Sequence, residues 1–190
     1  AAPRIALSVG EYCLAVVLNG LWKFSRLDSQ VRSGIWRNGA FGRELRGQTV
    51  GIVSASSTAR AFIALLKPFQ VSIKVYDPYL TAEAAESLGV ARASLEEVMR
   101  CPIISVHAPS LPATKGMLTA DLLKLIPDGA LFVNSSRGAV LDEEAMIQEL
   151  QTGRFHAVLD VLVKEPPLPD NPLLKLDNVL LTPHVAGMTT

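Results

Sequence analysis

The stretch TVGIVSASSTARAFIALLKPFQVSIKVYDP (49–78) decides the fold. It opens on a β-branched apolar run, TVGIVS (49–54), passes through a turn of small hydroxyl residues, and continues into a helical segment from Ala59 to Lys67. A second apolar run, VSIKVY (71–76), follows and ends on Asp77-Pro78. Apolar runs without polar alternation belong to strands covered on both faces, which is the situation of a parallel sheet packed between helices. Strand, helix, strand in so short a span reads as a βαβ unit.

The same alternation continues outward. PIISVH (102–107), ALFVN (130–134), HAVLD (156–160) and NVLLT (178–182) are four further strands. Helices are expected at Ala82–Leu88, Ser94–Met99, Thr119–Leu125 and Asp142–Leu150, with Ser94 and Glu97 forming a capping box. The stretch EPPLPDNPL (165–173) is a loop before the last strand. Six strands alternating with helices, joined by right-handed crossovers, give an α/β fold with a doubly wound parallel sheet of Rossmann type. The expected layout is one dinucleotide-binding domain over 1–190, with a helical arm at 1–34 and a Rossmann core at 45–190.

Upstream, Ser8 with Glu11 three residues later matches a capping box and predicts a helix from there to about Val31. Its apolar residues, among them Tyr12, Leu14, Val17, Leu21 and Trp22, cover more than one stripe, so a partner surface is expected over it. The apolar run Tyr12–Trp22 contains Asn19 and Gly20 and falls short of the ~20 residues that span a bilayer. No apolar stretch with a small-residue cleavage site follows Arg4, so no signal peptide is expected.

Composition narrows the function. The 190 residues carry 18 Lys+Arg and 18 Asp+Glu, 49% apolar residues and a mean hydropathy of +0.29. Zero net charge gives no basic field for nucleic acid or anionic lipid, so neither nucleic acid nor membrane is an expected partner. Cys13 and Cys101 are too few for a disulfide framework and read as reduced thiols, which points to the cytoplasm.

A dinucleotide fold places G-x-G-x-x-G/A after its first strand, for a tight turn and close approach of backbone to pyrophosphate. Here that place reads Ser54-Ala55-Ser56-Ser57-Thr58-Ala59, with only Ala59 in pattern. A helix N-terminus still offers N–H groups to a phosphate, and Ser56, Ser57 and Thr58 add hydroxyls. The Cβ atoms of Ser54 and Ser56 are expected to crowd the turn or the phosphate. Asp77 stands where an acidic residue takes the ribose hydroxyls, or it simply forms an Asp-Pro turn.

Several strings together are more specific than the glycine pattern. LRGQTVGIV (45–53), LLKPF (65–69), VYDPY (75–79), SVHAPSLPATKGML (105–118), VNSSRGAVLDEEA (133–145) and LDVLVKEPPLPDNPLLKLDNVLLTPHVAG (159–187) resemble the NAD-binding domain of the D-isomer-specific 2-hydroxyacid dehydrogenases. The resemblance implies catalytic roles for Arg137, for Glu165 and for His184 of the T-P-H string. A 2-oxoacid reduction needs a hydride, a proton and a cation for the substrate carboxylate. His184 suits the proton, Glu165 the fixing of its tautomer and the raising of its pKa, and Arg137 a two-point grip on carboxylate. Asp160 resembles the residue that receives the nicotinamide carboxamide, and Ser135, Ser136, His107 and Gly187 are expected around the cofactor. His156 is expected to be structural.

The implied function is NAD-dependent interconversion of a D-2-hydroxy acid and a 2-oxo acid, by a homodimer. The implied family also has a separate substrate domain preceding SVGEY. This stretch reads as a single cofactor domain with that domain absent, expected to be inactive without it. The alternative is a non-catalytic, dinucleotide-sensing or protein-binding Rossmann module of the corepressor kind, motivated by the altered phosphate turn.

Overall fold

The computed structural model describes residues 3–37, 39 and 42–189. Seven parallel strands form one sheet: β1 (Thr49–Val53), β2 (Ser72–Tyr76), β3 (Ala91–Arg92), β4 (Ile103–Val106), β5 (Leu131–Asn134), β6 (His156–Leu159) and β7 (Val179–Leu181). Their spatial order is β3-β2-β1-β4-β5-β6-β7, so the chain reverses direction across the sheet between β1 and β4. All six expected strands are present. The short edge strand β3 was not anticipated, because two residues carry no periodicity to read.

Alternation within the strands divides the core into two layers. Val50 and Ile52 of β1, Ile103 of β4, Leu131 and Val133 of β5 and Val158 of β6 face one side. There they meet α1 (Pro3–Trp22) and α3 (Ser57–Leu66) through Cys13, Val17, Leu21, Phe62, Ile63 and Leu66. Val53, Ile104, Val106, Phe132 and Leu159 face the other side. They pack on α5 (Leu95–Met99), α6 (Ala120–Leu123) and α7 (Glu143–Gln151) through Met99, Leu123, Met146 and Leu150. Fully burying each of these aliphatic or aromatic side chains contributes ~1.5–3 kcal/mol, which is why the central strands read as apolar runs. Contrary to expectation, β2 and β7 are not covered on both faces: β2 alternates, with Ile73 and Val75 buried and Ser72 exposed, and all of β7 is only half-buried, because both lie toward the edges of the sheet. Helix α4 (Ala82–Leu88) is capped by Thr81, α7 by Asp142, and α5 by the Ser94–Glu97 box expected from sequence.

The N-terminal segment departs from expectation in three ways. Helix α1 is already helical from Pro3, so Ser8 lies inside it and forms no capping box; its hydroxyl contacts the Arg4 carbonyl at 3.2 Å and the Thr189 hydroxyl at 2.8 Å. The helix also stops at Trp22, where Lys23 takes a left-handed φ of 59° and α2 (Phe24–Arg32) begins. Asn19 reaches across this break, its Oδ1 accepting from the Ser25 N–H at 3.2 Å. Finally, Val17 and Leu21 are buried inside this chain, so they cannot be the residues that meet a partner.

Helix α1 sits close on its neighbour because Gly10 leaves room: a Cβ there would lie 2.9–3.0 Å from Ala61 and the Phe62 N–H. Contrary to the sequence expectation, Arg4–Trp22 is long and apolar enough by length and composition to cross a membrane. Its inward apolar residues are accounted for by the sheet they cover. No residue of α2 is buried.

Candidate active site

The C-terminal ends of β1 and β4 flank the point where strand order reverses, the place where open α/β sheets bind ligands. A cavity of about 490 Å³ lies there, lined by Ser54–Ser56, Arg60, Asp77, Tyr79, Ala108 and Met117 among others. Ser54 takes φ +75°, a left-handed backbone normally reserved for glycine, and so preserves the turn without the glycine. Ser56 has φ −61° and needs no glycine. The expected crowding therefore concerns Ser54 for the backbone and Ser56 only for the phosphate.

Asp77 holds this turn together. Its Oδ2 accepts from the Ala55 N–H at 2.8 Å and the Ser54 hydroxyl at 3.2 Å, and its Oδ1 accepts from the Tyr79 N–H at 2.8 Å. The Asp-Pro turn is thus present, and among the described residues Oδ1 accepts only once. Helix α3 has no side-chain cap. The first N–H groups of a helix have no partner within it, so an uncapped ten-residue helix beside a cavity fits a dinucleotide phosphate.

Below the turn, the Ser56 hydroxyl pairs with Thr58 at 3.0 Å, Thr58 with His107 Nδ1 at 3.0 Å, and His107 Nε2 with Ser105 at 2.9 Å. His107 is buried and stacks on Phe62, and burial pushes its imidazole down to about 3, so it is neutral. Ser135 is also buried, its hydroxyl 3.2 Å from Cys13 Sγ. Burial pushes the Cys13 thiol up to about 11.

Arg137 is presented by the turn after β5. Asn134, fully buried, accepts at Oδ1 from the Ser136 N–H (3.1 Å) and hydroxyl (2.8 Å), and its Nδ2 donates to the Arg137 carbonyl at 3.1 Å. Among the described residues the exposed guanidinium donates once, to the Ser136 carbonyl at 2.6 Å, and most of its fork has no partner there. The next residue must be glycine, because a Cβ on Gly138 would overlap the Leu162 carbonyl and the Val163 N–H. That close approach brings the Arg137 turn against the segment leading to Glu165.

His184 Nδ1 and Glu165 Oε2 lie 2.7 Å apart, with the two side chains 44% and 38% exposed. Glu165 Oε1 accepts from the Leu162 N–H at 3.0 Å. Partial burial raises the Glu165 carboxyl, but the hydrogen bonds from His184 and Leu162 and the charges of His184 and Arg137 hold it below the usual carboxylate range. Glu165 is therefore paired with His184 and lies within the field of Arg137. His184 itself has φ 56°, and its N–H donates to the Asp160 carbonyl at 2.9 Å.

Asp160, 2% exposed, anchors that strained loop. Its Oδ1 accepts from the Thr182 hydroxyl at 2.6 Å and the Val185 N–H at 2.9 Å, its Oδ2 from the Ala186 N–H at 2.9 Å. Because Thr182 donates its only hydroxyl hydrogen to Asp160, the Tyr12 hydroxyl 2.6 Å away donates to Thr182. Burial pushes the Tyr12 phenol up to about 12, so that donor persists at any ordinary pH. Gly187 ends the loop beside Ile5 of α1.

Not every expected site residue turns toward the cavity. The Ser135 hydroxyl faces Cys13, and the Ser136 hydroxyl is held by Asn134. His156 sits half-buried at the start of β6, at the opposite end of the strand from Asp160. Three residues of the site escaped the sequence reading. Asn134 was visible as the first letter of the NSSR string, Tyr12 was counted only as apolar, and Arg60 had no motif, although its Nε donates to the Ala55 carbonyl at 3.0 Å beside the cavity.

Comparison with known proteins finds relatives over nearly the whole chain. Residues 14–186 match the family described as D-isomer specific 2-hydroxyacid dehydrogenase, NAD binding domain. The D-3-phosphoglycerate dehydrogenase of Archaeoglobus fulgidus is 36% identical over 186 residues, which is 96% of this chain and 35% of that protein. A solved phosphoglycerate oxidoreductase from Vibrio cholerae superposes with a TM-score of 0.88 at 29% identity, covering 95% of this chain and 60% of the other. An acyclic imino acid reductase solved with NADPH and D-Arg gives a TM-score of 0.88 at 26% identity, over 98% of this chain and 60% of the other. The chain thus spans about a third of the length of the curated relatives it matches. Because that family's pattern runs through most of the sequence, the chain belongs to the D-isomer-specific 2-hydroxyacid dehydrogenases, with residues 14–186 as the NAD-binding domain.

Proposed function

We propose that this domain serves an NAD-dependent oxidoreductase that interconverts a D-2-hydroxy acid and a 2-oxo acid. The 2.7 Å pair of His184 Nδ1 and Glu165 Oε2 carries the reading. When bound, the nicotinamide gives or takes the hydride at the substrate's second carbon. Glu165 accepts from Nδ1 and so holds the proton there, leaving Nε2 of His184 to give a proton to a carbonyl oxygen or take one from an alcohol. Arg137 offers the free part of its fork to the substrate carboxylate. Asp160 keeps the His184 loop in its strained conformation, and the remaining acceptor position of Asp77 Oδ1 is available to a ribose hydroxyl.

Two further proposals accompany this one. The protein is a cytoplasmic homodimer: the thiols of Cys13 and Cys101 are free and buried, and Trp22 at the end of α1, Phe24 and Val31 of α2, and Ile35 and Trp36 after it are exposed apolar residues. A monodisperse monomer by light scattering at high concentration would refute the dimer. The catalytic reading is tested by expressing the protein from its full reading frame and following NADH consumption with a panel of 2-oxo acids. Turnover with at least one of them is expected. NADH binding without turnover of any would establish the sensing or protein-binding module instead.

A further inference from the structure

The hydrogen-bond chain beneath the phosphate turn has a direction that its chemistry can set. Ser56 lines the cavity, Thr58 lies behind it, and His107 and Ser105 are buried on the sheet face covered by α1 and α3. The links measure 3.0, 3.0 and 2.9 Å. A neutral imidazole donates from one nitrogen and accepts at the other, and each hydroxyl has a single hydrogen. Two arrangements of the chain run in one direction from end to end. With the hydrogen on His107 Nε2, His107 donates to Ser105, Thr58 donates to Nδ1, and Ser56 donates to Thr58. In that arrangement Ser56 has no hydrogen for the cavity. With the hydrogen on Nδ1, Ser105 donates to Nε2, His107 to Thr58 and Thr58 to Ser56. The Ser56 hydroxyl hydrogen is then free to point outward.

An anion in the cavity distinguishes these arrangements, since it accepts and cannot donate. We propose that a dinucleotide phosphate at this turn selects the Nδ1–H tautomer of His107, so that the buried imidazole, acting through Thr58, makes Ser56 a phosphate donor. The proposal rests on the NAD-binding reading of the turn. In a glycine turn the backbone approaches the phosphate closely, whereas here the Ser56 Cβ holds the phosphate off and the hydroxyl takes over the contact. Hydrogen bonds aligned in series polarise one another, and the last donor in the series gains most when its acceptor is charged. His107 and Thr58 are positioning residues in this scheme and touch no reacting atom. Stacking on Phe62 fixes the imidazole plane, so the choice between arrangements is a proton position and needs no ring rotation.

The test uses the wild-type protein and NADH. Nitrogen-15 NMR of histidine-labelled protein reads the His107 tautomer directly, and calorimetry reads the NADH Kd of the wild type, Thr58→Ser and Thr58→Val. The expected complex carries the hydrogen on Nδ1; Thr58→Val weakens NADH roughly tenfold or more, as loss of a chain ending on a charged acceptor, and Thr58→Ser restores it to near wild type. An Nε2–H tautomer in the NADH complex overturns the relay, as does a Thr58→Val protein that binds NADH normally. Thr58→Ser binding as poorly as Thr58→Val also overturns it, because the threonine methyl would then be what matters. If the wild type binds no NADH, the NAD reading itself fails and the relay falls with it; NADH binding with the wrong tautomer removes only the relay.

Discussion

Replacing Ser54 tests how a phosphate turn works without its first glycine. The residue pays for a left-handed φ of +75°, and its hydroxyl donates to Asp77 Oδ2 at 3.2 Å. For a residue with a Cβ this backbone costs roughly 1–2 kcal/mol. The hydrogen bond reaches a carboxylate but is long for O–H···O, so it contributes at the low end of its class, ~1 kcal/mol. Ser54→Ala keeps the strain and loses the bond, so it should destabilise by ~1 kcal/mol. Ser54→Gly loses the bond and the strain together, and glycine's extra freedom in the unfolded chain removes a further ~0.5–1 kcal/mol. Gly should therefore end near wild type and above Ala by ~0.75 kcal/mol, about 2 °C in Tm for a chain of this size. In calorimetry, Ser54→Gly should tighten NADH several-fold, since it also clears a Cβ from the turn and frees Asp77 Oδ2 for the ribose. A glycine variant less stable than the alanine variant, or one that binds NADH more weakly than wild type, would refute this account of the turn.

Other consequences follow from single contacts. Gly138→Ala forces the Arg137 turn away from Leu162 and Val163, with an overpacking cost of ~1–3 kcal/mol; kinetics should show kcat falling more than NADH affinity. Asp160→Asn turns one acceptor oxygen into a donor facing an N–H group or the Thr182 hydroxyl, and urea unfolding should show a loss of ~1–3 kcal/mol. His107, at about 3 when folded against 6.5 in its ordinary state, stays neutral while the unfolded chain takes up a proton. Its contribution is fully present above pH ~6.5 and is lost as pH falls, approaching ~1.4 kcal/mol per pH unit, so His107→Asn should flatten the stability profile between pH 6.5 and 5.

The sheet was legible because strands buried on both faces cannot hide: Val50, Ile52, Ile104 and Phe132 are apolar whichever way they point. The cluster of Arg137, Glu165 and His184 was legible through local strings, each placed just after a strand. What escaped depends on contacts far apart in sequence. The Ser8–Glu11 spacing satisfies a local rule, but Thr189, which the Ser8 hydroxyl meets, is 181 residues away. The break at Lys23 has no glycine or proline to mark it and rests on Asn19 reaching Ser25. The pattern places Val17 and Leu21 against a partner because α1 is apolar on more than one side, whereas α3 and the sheet cover them. The pairing of Asp160 with Thr182, Val185 and Ala186 becomes visible only when β6 and the last loop are brought together.

The central claim is that His184, oriented by Glu165, moves the proton that accompanies hydride transfer. The most direct measurement is kcat for NADH-dependent reduction of the best 2-oxo acid, in the protein from its full reading frame, comparing wild type with His184→Ala under conditions where both are saturated with NADH. Loss of a general acid predicts a kcat lower by roughly 10²–10⁴ with NADH affinity retained. A His184→Ala protein that turns over at the wild-type rate would contradict the account.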